Sequence, residues 1–249
     1  MTKRITTELE WTDLVLPYQT LRKIQEILDC IKRGTGSRSL FYGPPGTGKT
    51  LAAALLGKSS GLDVYRNDLS TIVSKYIGET EKNIDDIFNL AQYNNRILYF
   101  DQAEALFGMR TETSVSGNSN TTPENSYLLQ KMEAFPGVVI FSTYLQSIID
   151  EAFTRCFPSM IYFAMPDAPG RMRIWKQAFS ENTRLEEKVD LSEIAATYEL
   201  SGGSIINIVR YCCIMALKEG RTLILLRDIL KGIQREFEKD GKPEKFTRM

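Results

Sequence analysis

The sequence predicts a three-layer α/β/α fold around a parallel sheet, followed by a smaller all-helical C-terminal domain. Two observations carry this. Short runs that are apolar at successive positions alternate with amphipathic helical patterns as far as Pro166. Beyond Pro166 the helical patterns continue alone. A strand that is apolar on both faces must be covered on both faces, and alternation with helices supplies that cover in a parallel sheet.

The strands come first. Residues 39–42, 62–65, 96–101, 137–143 and 160–164 are the apolar runs. Helical patterns fill the gaps at 18–33, 49–60, 80–93 and 123–134. The string Pro166-Asp167-Ala168-Pro169-Gly170 reads as hinge-like punctuation, so the boundary falls there. Residues 1–165 form the α/β domain. Residues 166–249 form the helical one, with periodic segments at 172–179, 191–198, 203–219 and 226–240. Residues 111–122 are small and polar without period, and read as a loop.

Composition narrows the function classes. The chain has 249 residues, 43% of them hydrophobic, enough for one large domain or a domain with a smaller companion. It carries 31 basic and 31 acidic residues. That balance argues against broad electrostatic binding to nucleic acid or to an anionic membrane. No run of 18 apolar residues is present, so no spanning helix is expected. The first eight residues lack the apolar run of a secretory signal, and a cytoplasmic protein is expected. Cys30, Cys156, Cys212 and Cys213 make no C-x-x-C pair and read as reduced, packed thiols. The chain has no histidine. Any hydrolytic chemistry must therefore use carboxylates, amides, Lys, Arg and a bound metal.

Gly43-Pro44-Pro45-Gly46-Thr47-Gly48-Lys49-Thr50 fits G-x-x-x-x-G-K-[ST], between a predicted strand and a predicted helix. Successive backbone N–H groups at such a turn wrap phosphates, and the helix N-terminus adds positive potential. Lys49 reaches the β- and γ-phosphates, and the Thr50 hydroxyl ligates magnesium (Mg2+). The expected ligands are ATP or ADP with Mg2+.

This string and the segments after it resemble the AAA+ ATPase family, from Trp11 to about Pro243. Within it the chain is similar to bacterial proteins with a single AAA domain, some of which accompany phage-tail-like contractile machines. The resemblance implies an AAA+ module: a P-loop α/β domain with a helical lid. It implies a nucleotide set of Pro44, Pro45, Gly46, Thr47, Gly48, Lys49, Thr50 and Leu51. Asp13 and Val15 join it from the segment near the adenine, and Gly202 and Gly203 from the turn that closes over the nucleotide. It implies a first pore loop tipped by Tyr76, Ile77 and Gly78, which grips a polypeptide in a central channel, and a second at 111–122. A protein partner or polypeptide substrate and a homo- or hetero-oligomer follow from the same resemblance.

The hydrolytic positions depart from the family pattern. Residues 97–101 resemble a Walker B strand ending in Asp101, the second magnesium residue, which acts through the metal's water shell. The family places a glutamate next to polarise water; here stands Gln102, whose amide orients water without taking its proton. Glu104, two residues further on, is a candidate substitute for that glutamate, but it faces elsewhere if 101–104 leave the strand in a turn. The polar sensor position after the fourth strand is Thr143-Tyr144, where the family often has Asn. Alignment back from Pro166 puts Cys156 and Pro158 at the arginine-finger positions, with Arg155 as the fallback for a slip of one. Tight Mg-ATP binding with impaired hydrolysis is the expectation, in a regulatory or structural subunit of pseudo-ATPase character. Its alternative is a working ATPase that remodels or threads proteins, with Gln102 an engineered or compensated Glu→Gln trap. Tyr144, Cys156 and Pro158 favour the first. A small-molecule P-loop kinase has no place for the helical domain or the pore-loop segment.

Overall fold

Lys3–Ile5 (β1), Ser37–Tyr42 (β2), Val64–Asp68 (β3), Ile97–Asp101 (β4), Val138–Thr143 (β5) and Ser159–Tyr162 (β6) form one sheet in the order β1-β3-β4-β5-β2-β6. The computed structural model describes residues 2–72, 79–106, 123–144, 155–180, 183–239 and 241. Tyr76, Ile77, Gly78 and the loop 111–122 lie outside the described residues. All pairings are parallel except that of the edge strand β1 with β3. Every residue of β5 is buried, and in β4 all but Asp101. Both strands thus have a covering layer on each face, as their unbroken apolar runs require.

One layer holds Tyr18–Lys32 (α1) and Lys49–Ser60 (α2). Ile24, Ile27, Leu28 and Ile31 recur at helical spacing, and the stripe packs with Ala52, Leu55 and Leu56 against Phe41, Tyr99 and Ile140. Leu55 and Leu56 are fully buried, each worth about 1.5–3 kcal/mol relative to exposure. The other layer holds Leu69–Ile72 (α3), Glu79–Tyr93 (α4) and Pro123–Ala134 (α5). From α4 and α5, Ile84, Phe88, Leu128 and Met132 pack on Leu40, Leu98, Phe100 and Phe141. Strand register matters for the site. Asp68 pairs with Asp101, and Tyr42 with Thr143, so these residues share the sheet's carboxyl edge.

The chain divides into two units: Met1–Pro44 with Lys49–Ala164, and Pro45–Gly48 with Met165–Met249. The second holds Ala168–Ala178 (α6), Leu191–Thr197 (α7), Gly202–Lys218 (α8) and Leu226–Lys239 (α9). Trp175, Ile205, Ile229 and Ile233 are fully buried at its centre. No described helix is long and apolar enough to cross a membrane.

Four local features correct the sequence reading. β1 was not anticipated, because three residues carry no period; it is held by β3 and by an Arg4–Asp63 ion pair of 2.6 Å. β3 runs to Asp68 rather than stopping at Tyr65, since its polar end lies at the sheet's carboxyl edge and Asn67 is buried there. The 166–170 string is a helix start: Asp167 caps α6 by accepting the Gly170 N–H at 2.8 Å, with Pro at the first helical turn. The helical unit is not purely helical either. Arg184–Leu185 (β7) and Leu223–Ile224 (β8) make a parallel ladder too short for any sequence period.

Candidate nucleotide site

The site begins where β2 ends. Gly43 has φ +133°, and a Cβ there would lie 2.3 Å from the Phe163 carbonyl oxygen, so only glycine fits. Lys49, the first residue of α2, is buried. Its Nζ donates to the carbonyls of Gly43 at 2.6 Å and Pro44 at 2.8 Å. Burial pushes its pKa down to about 8, against the upward pull of the Asp101 and Glu104 carboxylates. Those two carboxylates therefore lie within electrostatic reach of the ammonium group.

Gly46 and Gly48 also have positive φ, 75° and 103°. They belong to the second unit, where the Gly203 N–H donates to the Gly46 carbonyl at 2.8 Å. A Cβ on Gly46 would come 2.4 Å from the Ser201 Oγ, which caps α8 by accepting the Ser204 N–H. A Cβ on Gly202 would stay 3.4 Å from the Gly46 carbonyl oxygen. Thr47 is buried. Leu51 is half-buried against the α1/α2 core.

The Thr50 hydroxyl lies 3.1 Å from the Tyr99 hydroxyl. Burial raises the Tyr99 pKa and keeps the phenol protonated, as a hydrogen-bond partner and not a base. Asp101 accepts from the Arg66 guanidinium at 2.7 Å and from the Gln102 N–H at 3.0 Å. The Arg66 Nε is buried without a hydrogen-bond partner among the described residues. Arg66, Asp68 and Tyr99 were missed by sequence reasoning. Their signal was the register of β3 against β4, which places Arg66 beside Tyr99 and Asp68 beside Asp101.

The turn after β4 is the main departure. Gln102 has φ +57°, a left-handed backbone that non-glycine residues seldom adopt. Its side-chain amide donates to the Asp68 carboxylate at 3.2 Å. A short 3-10 helix, Ala103–Leu106, follows, with the Ala105 N–H bonded to the Gln102 carbonyl. This brings Glu104 back over the end of β5, where the Thr143 Oγ1 donates to its carboxylate at 2.9 Å. Glu104 thus does not face elsewhere. The left-handed residue turns the chain toward the site instead of away from it.

The other candidates are dispersed. Tyr144 lies just past β5 and is exposed. Cys156 packs on the α4/α5 core, and Pro158 borders the amino end of β6, the sheet edge opposite Asp101. The Asp13 carboxylate accepts the Glu10 N–H at 2.7 Å in a 3-10 turn, Trp11–Asp13, and Val15 beyond it is half-buried.

These residues fit a phosphate chain with magnesium. Gly43 at positive φ keeps a side chain off the turn, Lys49 supplies charge, and Thr50 and Asp101 offer hard oxygen donors. No group of three or more His, Cys, Asp or Glu among the described residues could hold a metal by itself. A magnesium here therefore depends on oxygens of the ligand as well.

The sequence profile described as "ATPase family associated with various cellular activities (AAA)" matches residues 39–165. A proteasome-activating nucleotidase of Methanopyrus kandleri is 32% identical over 204 residues, 79% of this chain and 47% of that protein. One of Methanococcus vannielii is 32% identical over 213 residues, 82% of this chain and 52% of that one. Proteasome-activating nucleotidase 1 of Halobacterium salinarum is 26% identical over 245 residues, 91% and 60%. The chain spans about half the length of the curated relatives it matches. The matched segment runs from β2 to the last residues of the sheet, and the chain belongs to the ATPase family associated with various cellular activities.

Proposed function

We propose that this chain binds ATP with magnesium, hydrolyses it slowly, and serves as a regulatory or structural subunit that works with a protein partner. One observation carries the reading. The groups that hold ground-state phosphate, Lys49, Thr50 and Asp101, stand at one edge, while the Gln102 amide is engaged with Asp68.

Each residue has a part. The 43–50 main chain and Lys49 bind and orient the phosphates. Thr50 and Asp101 position the metal, which supplies charge neutralisation when bound. Gln102 cannot take a proton from water, and a positioned base is worth ~10²–10⁴ in rate. Cys156 and Pro158 bring no charge to a neighbour's γ-phosphate, and an arginine finger is worth ~10³–10⁵. The losses do not add, yet either leaves turnover slow. The protein partner is supported by the relatives' name, proteasome-activating nucleotidase. That name also favours a second reading, a working nucleotidase acting with a protein machine.

Nucleotide titration and turnover on one sample test the proposal. The parent should bind ATP and ADP and turn over slowly. Lys49→Ala should lose ~10–100-fold in affinity, since hydrogen bonds to charged groups are worth about 1.5–3 kcal/mol. Unchanged affinity in Lys49→Ala, or brisk turnover by the parent, refutes it.

A further inference from the structure

We propose that Glu104 is the residue that takes the proton from the attacking water, with Thr143 as its positioning residue, so that what turnover the chain has runs through a carboxylate three residues beyond Asp101. The inference rests on the reading of 43–50 as an ATP site.

Three observations converge on Glu104. Its carboxylate is bonded by the Thr143 hydroxyl, the last residue of β5 at the sheet's carboxyl edge. It acts electrostatically on the Lys49 ammonium, the group placed for the β- and γ-phosphates. The amide at the position directly after Asp101 is held by Asp68, and its backbone conformation turns the following residues toward β5. Together these leave Glu104 as a carboxylate at this edge that no cation pairs with among the described residues, whereas Asp101 is taken by Arg66. One hydroxyl donor leaves lone pairs on Glu104 for a water.

The step balances within the residues and substrate named. As the water oxygen bonds to the γ-phosphorus, a proton passes from the water to the Glu104 carboxylate. The bond from the γ-phosphorus to the bridging oxygen breaks, and its electron pair stays with ADP. Inorganic phosphate leaves, and Glu104 releases its proton to solvent.

The full chain tests this with Glu104→Gln, Thr143→Val and Thr143→Ser. Glu104→Gln keeps an acceptor oxygen for Thr143 and replaces the charged, proton-accepting group by a neutral amide. Single-turnover hydrolysis should fall ~10²-fold or more. The affinity for a non-hydrolysable ATP analogue should rise several-fold while that for ADP stays level, because a negative charge near the γ-phosphate has gone. A purely structural Glu104 would not split the two nucleotides in this way. Thr143→Val should slow turnover, and Thr143→Ser, which restores the hydroxyl, should recover it. Turnover within twofold of the parent in Glu104→Gln overturns the assignment, as does a parent that binds ATP and never hydrolyses it. A parent that binds no nucleotide overturns the ATP-site reading and this one with it.

Discussion

The loop at 43–50 and the turn after β4 hold their functional groups in different ways. In the loop the main chain does most of the work: Lys49 is fixed by two backbone carbonyls, and the glycines are fixed by close approach. In the turn every functional group is held by another side chain: Asp101 by Arg66, Gln102 by Asp68, Glu104 by Thr143. Ground-state binding drawn from backbone geometry survives changes of side chain. Transition-state contacts depend on single side chains, so one left-handed residue reroutes them. Under the proposed function, substrate affinity and hydrolysis rate separate along this edge by residue.

The sharpest way to break the contrast is at Asp101, which serves both sides. Asp101→Ala removes a residue placed to hold the metal and leaves Arg66 without its carboxylate. The factor by which magnesium tightens ATP should fall by ~10–100-fold, the usual cost of removing an outer-sphere metal partner. Titration with and without a chelator reads that factor directly. Stability should drop by only about 1 kcal/mol, because Arg66 is 39% exposed and solvent screens the pair. Magnesium dependence equal to the parent's would remove Asp101 from the metal site.

Gln102→Glu probes the turn alone. A well-placed base would raise turnover ~10²–10⁴-fold. Here the new carboxylate would meet Asp68, whose oxygen now lies 3.2 Å from the Gln102 amide nitrogen. Like charges at that range raise one carboxyl pKa and push the pair apart. Turnover should rise by less than ~10-fold, below the ~10²-fold lower end of the effect of a well-placed base. Brisk turnover from this one change would identify Gln102 as a lone substitution in an otherwise intact machine.

The difference between the regions also explains what could be read in advance. The loop was legible because its chemistry lies in consecutive residues, each with a main-chain reason. The sheet was legible from runs such as 138–141, four consecutive apolar residues that are all buried. The turn was not legible. Nothing local says that Gln102 takes φ +57°, and the partner of Glu104 is 39 residues away. Arg66 and Asp68 sat beyond the expected end of β3, since a strand end that turns polar at a functional edge looks like a loop. Asp167 reads as a hinge residue in the sequence for a related reason: capping residues and turn residues are the same residue types.

The smallest expected effect lies in the helical unit, whose buried groups answer to packing and to no ligand. Cys212 is fully buried in α8, while Cys30, Cys156 and Cys213 are half-buried. Burial pushes the Cys212 thiol up to about 12, and the Asp228 carboxylate adds to the shift. A thiol reagent reacts with the thiolate, so Cys212 should stay unlabelled at pH 8 and become labelled on unfolding. The sign with pH follows from linkage. The folded state holds the thiol form more tightly than the unfolded chain, whose thiol titrates near 9. Its advantage is whole below pH 9 and is lost as pH climbs toward 12. Mass spectrometry after a timed pulse at pH 8 distinguishes the four thiols. Saturating ATP should leave the Cys212 result unchanged, because protection there comes from the apolar core around Ile205, Ile208 and Ile229. Labelling of Cys212 in the native chain would mean that this core opens on the timescale of the pulse.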